Sequence, residues 1–162
     1  MKHRILGIDP GSQVTGYGVI EGEPAVARPV AAAALRPARG TSLAARLDFI
    51  HRGVTGVIDR WNPTCLAVET AFYHKNVRST LVLGHVRGVI LLAAEQAGLP
   101  VHEYAPREIK MAVTGNGGAP KEQVAFMVRG ILRIQETPGL DASDALAVAL
   151  CHWQRDRVPV SR

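Results

Sequence analysis

Apolar positions along the chain alternate between short strand-like runs and longer runs with helical spacing. Arg4 to Asp9 is apolar and β-branched enough for a buried strand, and Pro10-Gly11-Ser12 then turns the chain. Val14 to Ile20 alternates around Tyr17 and Val19, which predicts a second strand antiparallel to the first. Val26 to Leu35, rich in alanine, is the third. Thr41-Ser42 caps a helix running to about Trp61, with Leu43, Leu47, Ile50, Val54, Val57 and Ile58 on one face and Asn62-Pro63 stopping it. Cys65 to Glu69 is a short strand ending in an acid. A long helix from Val77 to Ala97 closes on Gly98-Leu99-Pro100, and Val101 to Tyr104 is a further strand. Pro106 starts a short helix, glycines line the loop from Gly115 to Gly118, and Pro120 sits in the first turn of the next helix. The last helix runs from about Asp141 to Gln154. Three strands followed by alternating helix and strand predict an α/β layered domain with a mixed five-stranded sheet flanked by helices. It occupies residues 1–154, with a short basic tail over 155–162.

Composition narrows the class. At 162 residues, 47% hydrophobic and 20% charged, the chain is one globular domain with a core of its own and not a disordered tail. Lys plus Arg is 19 against 14 for Asp plus Glu, a net charge of +5 that suits a polyanionic partner. Cys65 and Cys151 and six dispersed histidines show neither a CxxC nor a finger spacing. That dispersal predicts no structural zinc site, no disulfide, and two inert buried thiols. The start, MKHRILGIDPG, lacks the apolar stretch of a signal peptide, and Val86 to Ala94 is broken by Arg87 and Gly88, so a cytoplasmic protein is expected.

Against the basic background, acids stand at structurally marked places. Asp9 and Glu69 end two candidate central strands, where α/β sheets present their ligand crevice. Asp141 and Asp144, three apart, share one face at the start of the last helix. Four clustered carboxylates need cations, and their hard oxygens suit Mg²⁺ or Mn²⁺, two of which can drive phosphodiester hydrolysis. Taken singly, each has a plainer role: Asp9-Pro10-Gly11 as a turn, Asp141 as a helix cap, Asp144 as a first-turn acid. Phe72 and Tyr73 beside Lys75, Asn76 and Arg78 suit stacking on an unpaired base with cations on phosphates. Lys110 and Lys121 flank the glycine loop, which is no Walker A because Glu122 follows Lys121. Gly84 and Gly88 on the long helix permit close helix approach, either to the chain's own sheet or across a dimer seam.

ILGIDPGSQVTGYGVI, AVETAF, LGHVRGVI and DASDALAVAL, in this order across nearly the whole chain, resemble the RuvC family of Holliday-junction resolvases. The resemblance implies a ribonuclease-H-like three-layer fold and a homodimer joined through the long helix. It also implies a divalent-metal endonuclease that cuts opposed strands of a four-way DNA junction in recombination and repair. The family's acidic tetrad falls on Asp9, Glu69, Asp141 and Asp144, its exchange-point aromatic on Phe72, and its site lysines on Lys110 and Lys121. Some members carry His at the position of Asp141. The RuvA–RuvB branch-migration complex is the implied partner. Gly7 to Gly16 also resembles the first phosphate motif of actin-like ATPases, but those proteins need two lobes. The same residues would also suit a ribonuclease H acting on RNA–DNA hybrids, or a non-enzymatic junction scaffold.

Overall fold

The computed structural model describes residues 3–23, 26–70 and 76–156. Three strands come first: β1 (His3–Asp9), β2 (Thr15–Glu23) and β3 (Val26–Leu35). Helix α1 (Leu43–Trp61), strand β4 (Cys65–Glu69), helix α2 (Val77–Gln96) and strand β5 (Val101–Tyr104) follow. Helices α3 (Pro106–Thr114), α4 (Lys121–Leu132) and α5 (Leu140–Asp156) complete the chain. The sheet order is β3-β2-β1-β4-β5, with β1 antiparallel to β2 and parallel to β4. This is the mixed five-stranded sheet that the sequence predicts. Pro29, which has no N–H for a ladder, lies on the edge strand β3.

Strand alternation sorts the core into two layers. Leu6, Ile8, Leu66 and Val68 face α1 and α2, where Ile50, Val54, Val86 and Ile90 meet them. Ile5, Cys65 and Ala67 face the other way, toward α5 with α3 and α4 outside it. Helix α5 is therefore buried almost all round, from Ala142 to Trp153. The helix ends follow ordinary capping. Ser42 Oγ accepts from the Ala45 N–H at 3.2 Å to start α1, and Asn62 ends it in the left-handed region at φ 44°.

Three expectations are corrected. Pro120 immediately precedes α4 instead of lying in its first turn. Helix α5 runs on to Asp156, taking in two residues assigned to the tail. Its last turn is held because Arg155 donates to Glu108 Oε1 at 2.7 Å and lies over the Tyr104 ring. Finally, α2 is long and apolar enough to cross a bilayer by length and composition, contrary to the expectation from sequence. Its residues Val86, Ile90, Ala93 and Ala94 are nevertheless buried against the sheet layer, so it serves as a helix of the fold.

Candidate active site

Register places the first two acids. β1 and β4 run parallel with Ile8 opposite Val68, so Asp9 and Glu69 are the next residues of adjacent strands. Both share the sheet face of Ile5, Cys65 and Ala67, which α5 covers. The approach of α5 depends on missing side chains in the strands beneath it. A Cβ on Gly7 would overlap the Ala145 carbonyl, and one on Gly16 the Asp141 carbonyl. Glycine at these points lets the helix lie directly on the sheet, and that proximity carries Asp144 to the strand ends.

Asp9, Glu69 and Asp144 line one small cavity of about 80 Å³ together with Lys110 of α3 and Lys121, the first residue of α4. Lys121 Nζ donates to Asp144 Oδ2 at 3.2 Å. Burial, then the charges of Glu69 and Asp144, push the Asp9 carboxyl up to about 8. Burial also raises Glu69, while its hydrogen bond with Asp9 pulls the other way. Both shifts are those of a pair in which Asp9 donates to Glu69. The pair beside Lys121 and the neighbouring Asp144 hold its ammonium above the usual lysine value, Asp144 most of all.

Carboxyls pushed up by burial and by neighbouring negative charge mark a site short of positive charge. Hard carboxylate oxygens from three elements, converging in one cavity, fit a divalent cation of the Mg²⁺ or Mn²⁺ kind. Asp9, Glu69 and Asp144 are the residues that would hold it.

The fourth acid stands apart. Asp141 does not line the cavity; its Oδ2 accepts from Arg36 Nη2 at 3.1 Å. Arg36 belongs to a second, basic cavity of about 370 Å³, shared with Gln13, Arg39, Thr41 and Arg46. Sequence reasoning passed over these arginines. The signal that would have found them is three basic residues spaced around the start of α1. Asn76 acts as the N-cap of α2, its Oδ1 accepting from the Arg78 and Ser79 N–H groups, and Arg78 is exposed beside it. Phe72 and Lys75 lie outside the described residues.

Comparison with known proteins gives a consistent result. A family model described as Crossover junction endodeoxyribonuclease RuvC matches residues 5–152. The crossover junction endodeoxyribonuclease RuvC of Halorhodospira halophila is 49% identical over 159 residues, covering 98% of this chain and 94% of the relative. The protein of the same name from Desulforamulus reducens is 46% identical over 151 residues, 93% of each chain. Among solved structures, Thermus thermophilus RuvC in complex with Holliday junction substrate superposes with a TM-score of 0.90 at 37% identity. That likeness covers 96% of this chain and 95% of the other.

Proposed function

The chain belongs to the RuvC family of crossover junction endodeoxyribonucleases, and on that premise we propose that Asp9, Glu69, Asp141 and Asp144 are its metal-binding and catalytic acids. The enzyme is a divalent-metal-dependent nuclease acting on four-way Holliday junction DNA in recombination and repair, within a ribonuclease-H-like α/β fold. The observation that carries the site assignment is the convergence of Asp9, Glu69 and Asp144 with two lysines on one cavity, in a chain of net charge +5.

When bound, two Mg²⁺ ions, or Mn²⁺ in their place, activate the attacking water and neutralise the departing oxygen. The protein's own groups do the rest. Asp9 and Glu69, from adjacent strands, would be ligands in their ionised forms. Asp144 is oriented by Lys121, whose ammonium also offsets phosphate charge near the reacting centre. Lys110 positions the DNA backbone. Attack is in line: the water oxygen bonds to phosphorus, the P–O3′ bond breaks, and the ends are a 5′-phosphate and a 3′-hydroxyl. Asp141 completes the set at the rim once Arg36 turns to DNA phosphate. Arg36, Arg39 and Arg46 form a cradle for that backbone.

Phe72 stacks on a base unpaired at the crossover, with Lys75, Asn76 and Arg78 on the adjoining strand. Two copies of the chain pair through α2, so that two sites face opposed strands and the nicks are symmetric. Gly84 and Gly88 support that pairing, because a Cβ on either would meet nothing within 4 Å in the chain itself. The branch-migration complex RuvA–RuvB remains the partner that family resemblance implies, and the cytoplasm the location.

The test is cleavage of a mobile four-way junction, linear duplex and RNA–DNA hybrid, with Mg²⁺, with Mn²⁺ and with chelator. Symmetric metal-dependent nicks confined to the junction are expected, abolished by Glu69→Gln with junction binding retained. Wild-type cutting by Glu69→Gln would overturn the tetrad assignment. Phe72→Ala is expected to impair intact junctions more than pre-nicked ones, and equal losses would remove that role.

A further inference from the structure

The elements that carry the acids carry a second constellation at their opposite ends. On β1 the residues His3, Ile5, Gly7 and Asp9 alternate onto the face that α5 covers, and on β4 so do Cys65, Ala67 and Glu69. Asp9 and Glu69 end these strands; His3 and Cys65 begin them, roughly 20 Å away along β1 and roughly 13 Å along β4 by strand rise. Helix α5 runs from Asp144 at one end to His152 at the other. One ligand atom from each of His3, Cys65 and His152 lies within 4.8 Å of the other two. The topology brings together Cys and His residues that the sequence disperses.

The surrounding hydrogen bonds orient both imidazoles. The Thr64 hydroxyl donates to the Arg4 carbonyl at 2.9 Å, so toward His3 Nδ1, at 3.0 Å, it can only accept. Nδ1 of His3 is thus the donor to Thr64, and Nε2 is the nitrogen that faces away from that bond. That Nε2 is buried and has no hydrogen-bond partner among the described residues. His152 Nδ1 lies 2.7 Å from the Tyr104 hydroxyl, which leaves Nε2 for a ligand. Metal-binding histidines are held in this manner, one nitrogen on an oxygen partner and the other on the ion. Asp156 Oδ2 stands 3.5 Å from His3 Nε2; it lies outside the group of three and would have to swing in to act as a fourth donor.

We propose that His3, Cys65 and His152, with Asp156 as fourth donor, bind a zinc-class cation that clamps β1, β4 and α5 together at the end of the sheet remote from the nuclease centre. Two imidazoles, a thiolate and a carboxylate are a set for Zn²⁺ or Co²⁺, not for the hard ions that suit the acids. The charges balance: a dication with one thiolate and one carboxylate is neutral, which suits a place where Cys65 and His152 are almost fully buried. Binding forms a metal–sulfur bond and releases the Cys65 thiol proton to solvent, with no change of oxidation state. Asp156 and His3 are the exposed members, so the ion enters from their side.

The experiment titrates chelator-stripped protein with Co²⁺ alone and with Zn²⁺ alone. One equivalent of Co²⁺ should give a near-ultraviolet thiolate-to-metal charge-transfer band, which carboxylates cannot supply. The band should vanish in Cys65→Ser, persist in Cys151→Ser, and need at least tenfold more Co²⁺ in His3→Ala. Zn²⁺ should raise the melting temperature of wild type and of Glu69→Gln, and not of His3→Ala. His3 begins its strand and is partly exposed, so His3→Ala tests the site even where a Cys65 variant folds badly. Absence of the band, or a band indifferent to Cys65→Ser and His3→Ala, overturns the proposal. Each readout is independent of whether the acids cut DNA.

Discussion

Lys121 Nζ sits 3.2 Å from Asp144 Oδ2, joining the first residue of α4 to the acid that α5 contributes to the cavity. With Asp9 and Glu69 on the same cavity, this ammonium is the nearest counter-charge to three carboxyls. Its side chain is largely exposed, so the pair contributes little to stability, and on the proposed assignment its effect is on charge at the reacting centre. Lys121→Ala should reduce the single-turnover cleavage rate by about 10²-fold. Junction affinity should change little, since one phosphate contact among many is lost. A loss of binding as large as the loss in rate would show that Lys121 only holds DNA.

The raised Asp9 carboxyl predicts a pH dependence in the metal-free protein. The Asp9 carboxyl is raised from 3.8 to about 8 in the folded chain. Between those values the folded state binds more protons than the unfolded state, so stability falls as pH rises through the window. Asp9→Asn removes that dependence. With chelator present, the melting temperature of Asp9→Asn minus that of wild type should grow from about pH 4 and level off above about pH 8. Mg²⁺ should restore wild type and do little for the variant. A flat difference curve would mean that Asp9 is already ionised when the site is empty of metal.

The fold was legible because its signals are local. Ser42, Asn62 and Pro63 bracket α1 in sequence as they do in space, and the period-two run through Tyr17 and Val19 becomes β2. The acids were legible because a strand end and a helix start are recognisable from neighbours alone. What the sequence did not disclose depends on distant partners. Arg36 meets Asp141 across 105 positions. His3, Cys65 and His152 are scattered along the chain and meet only through the register of β1 with β4. The two extra residues of α5 rest on Arg155 reaching Glu108, a contact that helix propensity does not contain.

Gly16 is where packing and catalysis join. A Cβ there would overlap the backbone carbonyl of Asp141, which cannot rotate aside as a side-chain tip can. Gly16→Ala should therefore displace the start of α5 and destabilise the protein by about 1–3 kcal/mol. Cleavage should fall further than the loss of folded protein explains, because Asp141 and Asp144 move with the helix. Gly56→Ala in α1 is the control: a Cβ there meets open space, and stability should rise by about 0.4–1 kcal/mol with cleavage unchanged. Denaturant melts alongside activity per folded molecule separate the two effects. Equal stability of the two variants would contradict the close approach.

The basic cradle predicts a salt signature. Arg39 lines the 370 Å³ cavity beside Arg36 and is exposed to solvent. If it holds one phosphate, Arg39→Ala should weaken junction binding whatever the sequence at the crossover. It should also reduce the slope of log affinity against log salt by about 1. Fluorescence anisotropy at several salt concentrations measures both. An unchanged slope would place the DNA on another face.

Helix α2 offers the sharpest test of how two cuts are coordinated. Val77 and Leu81 are 61% and 60% exposed and Leu92 is 49% exposed, although the opposite side of the helix is buried in the core. Leu81, Gly84, Gly88 and Leu92 recur at spacings of three and four, so they form one stripe along the exposed side. An apolar stripe with glycines at its centre lets a second copy approach closely and bury Leu81 and Leu92. Leu81→Glu places like charges opposite each other in a two-fold pair while leaving the chain's own core untouched. Sedimentation should show a dimer for wild type and a monomer for Leu81→Glu at the same concentration. The variant should still nick junctions, but one strand at a time, so that nicked intermediates accumulate where wild type yields resolved duplexes. Monomeric wild type, or a Leu81→Glu dimer with paired cuts, would mean that symmetry is imposed through another surface.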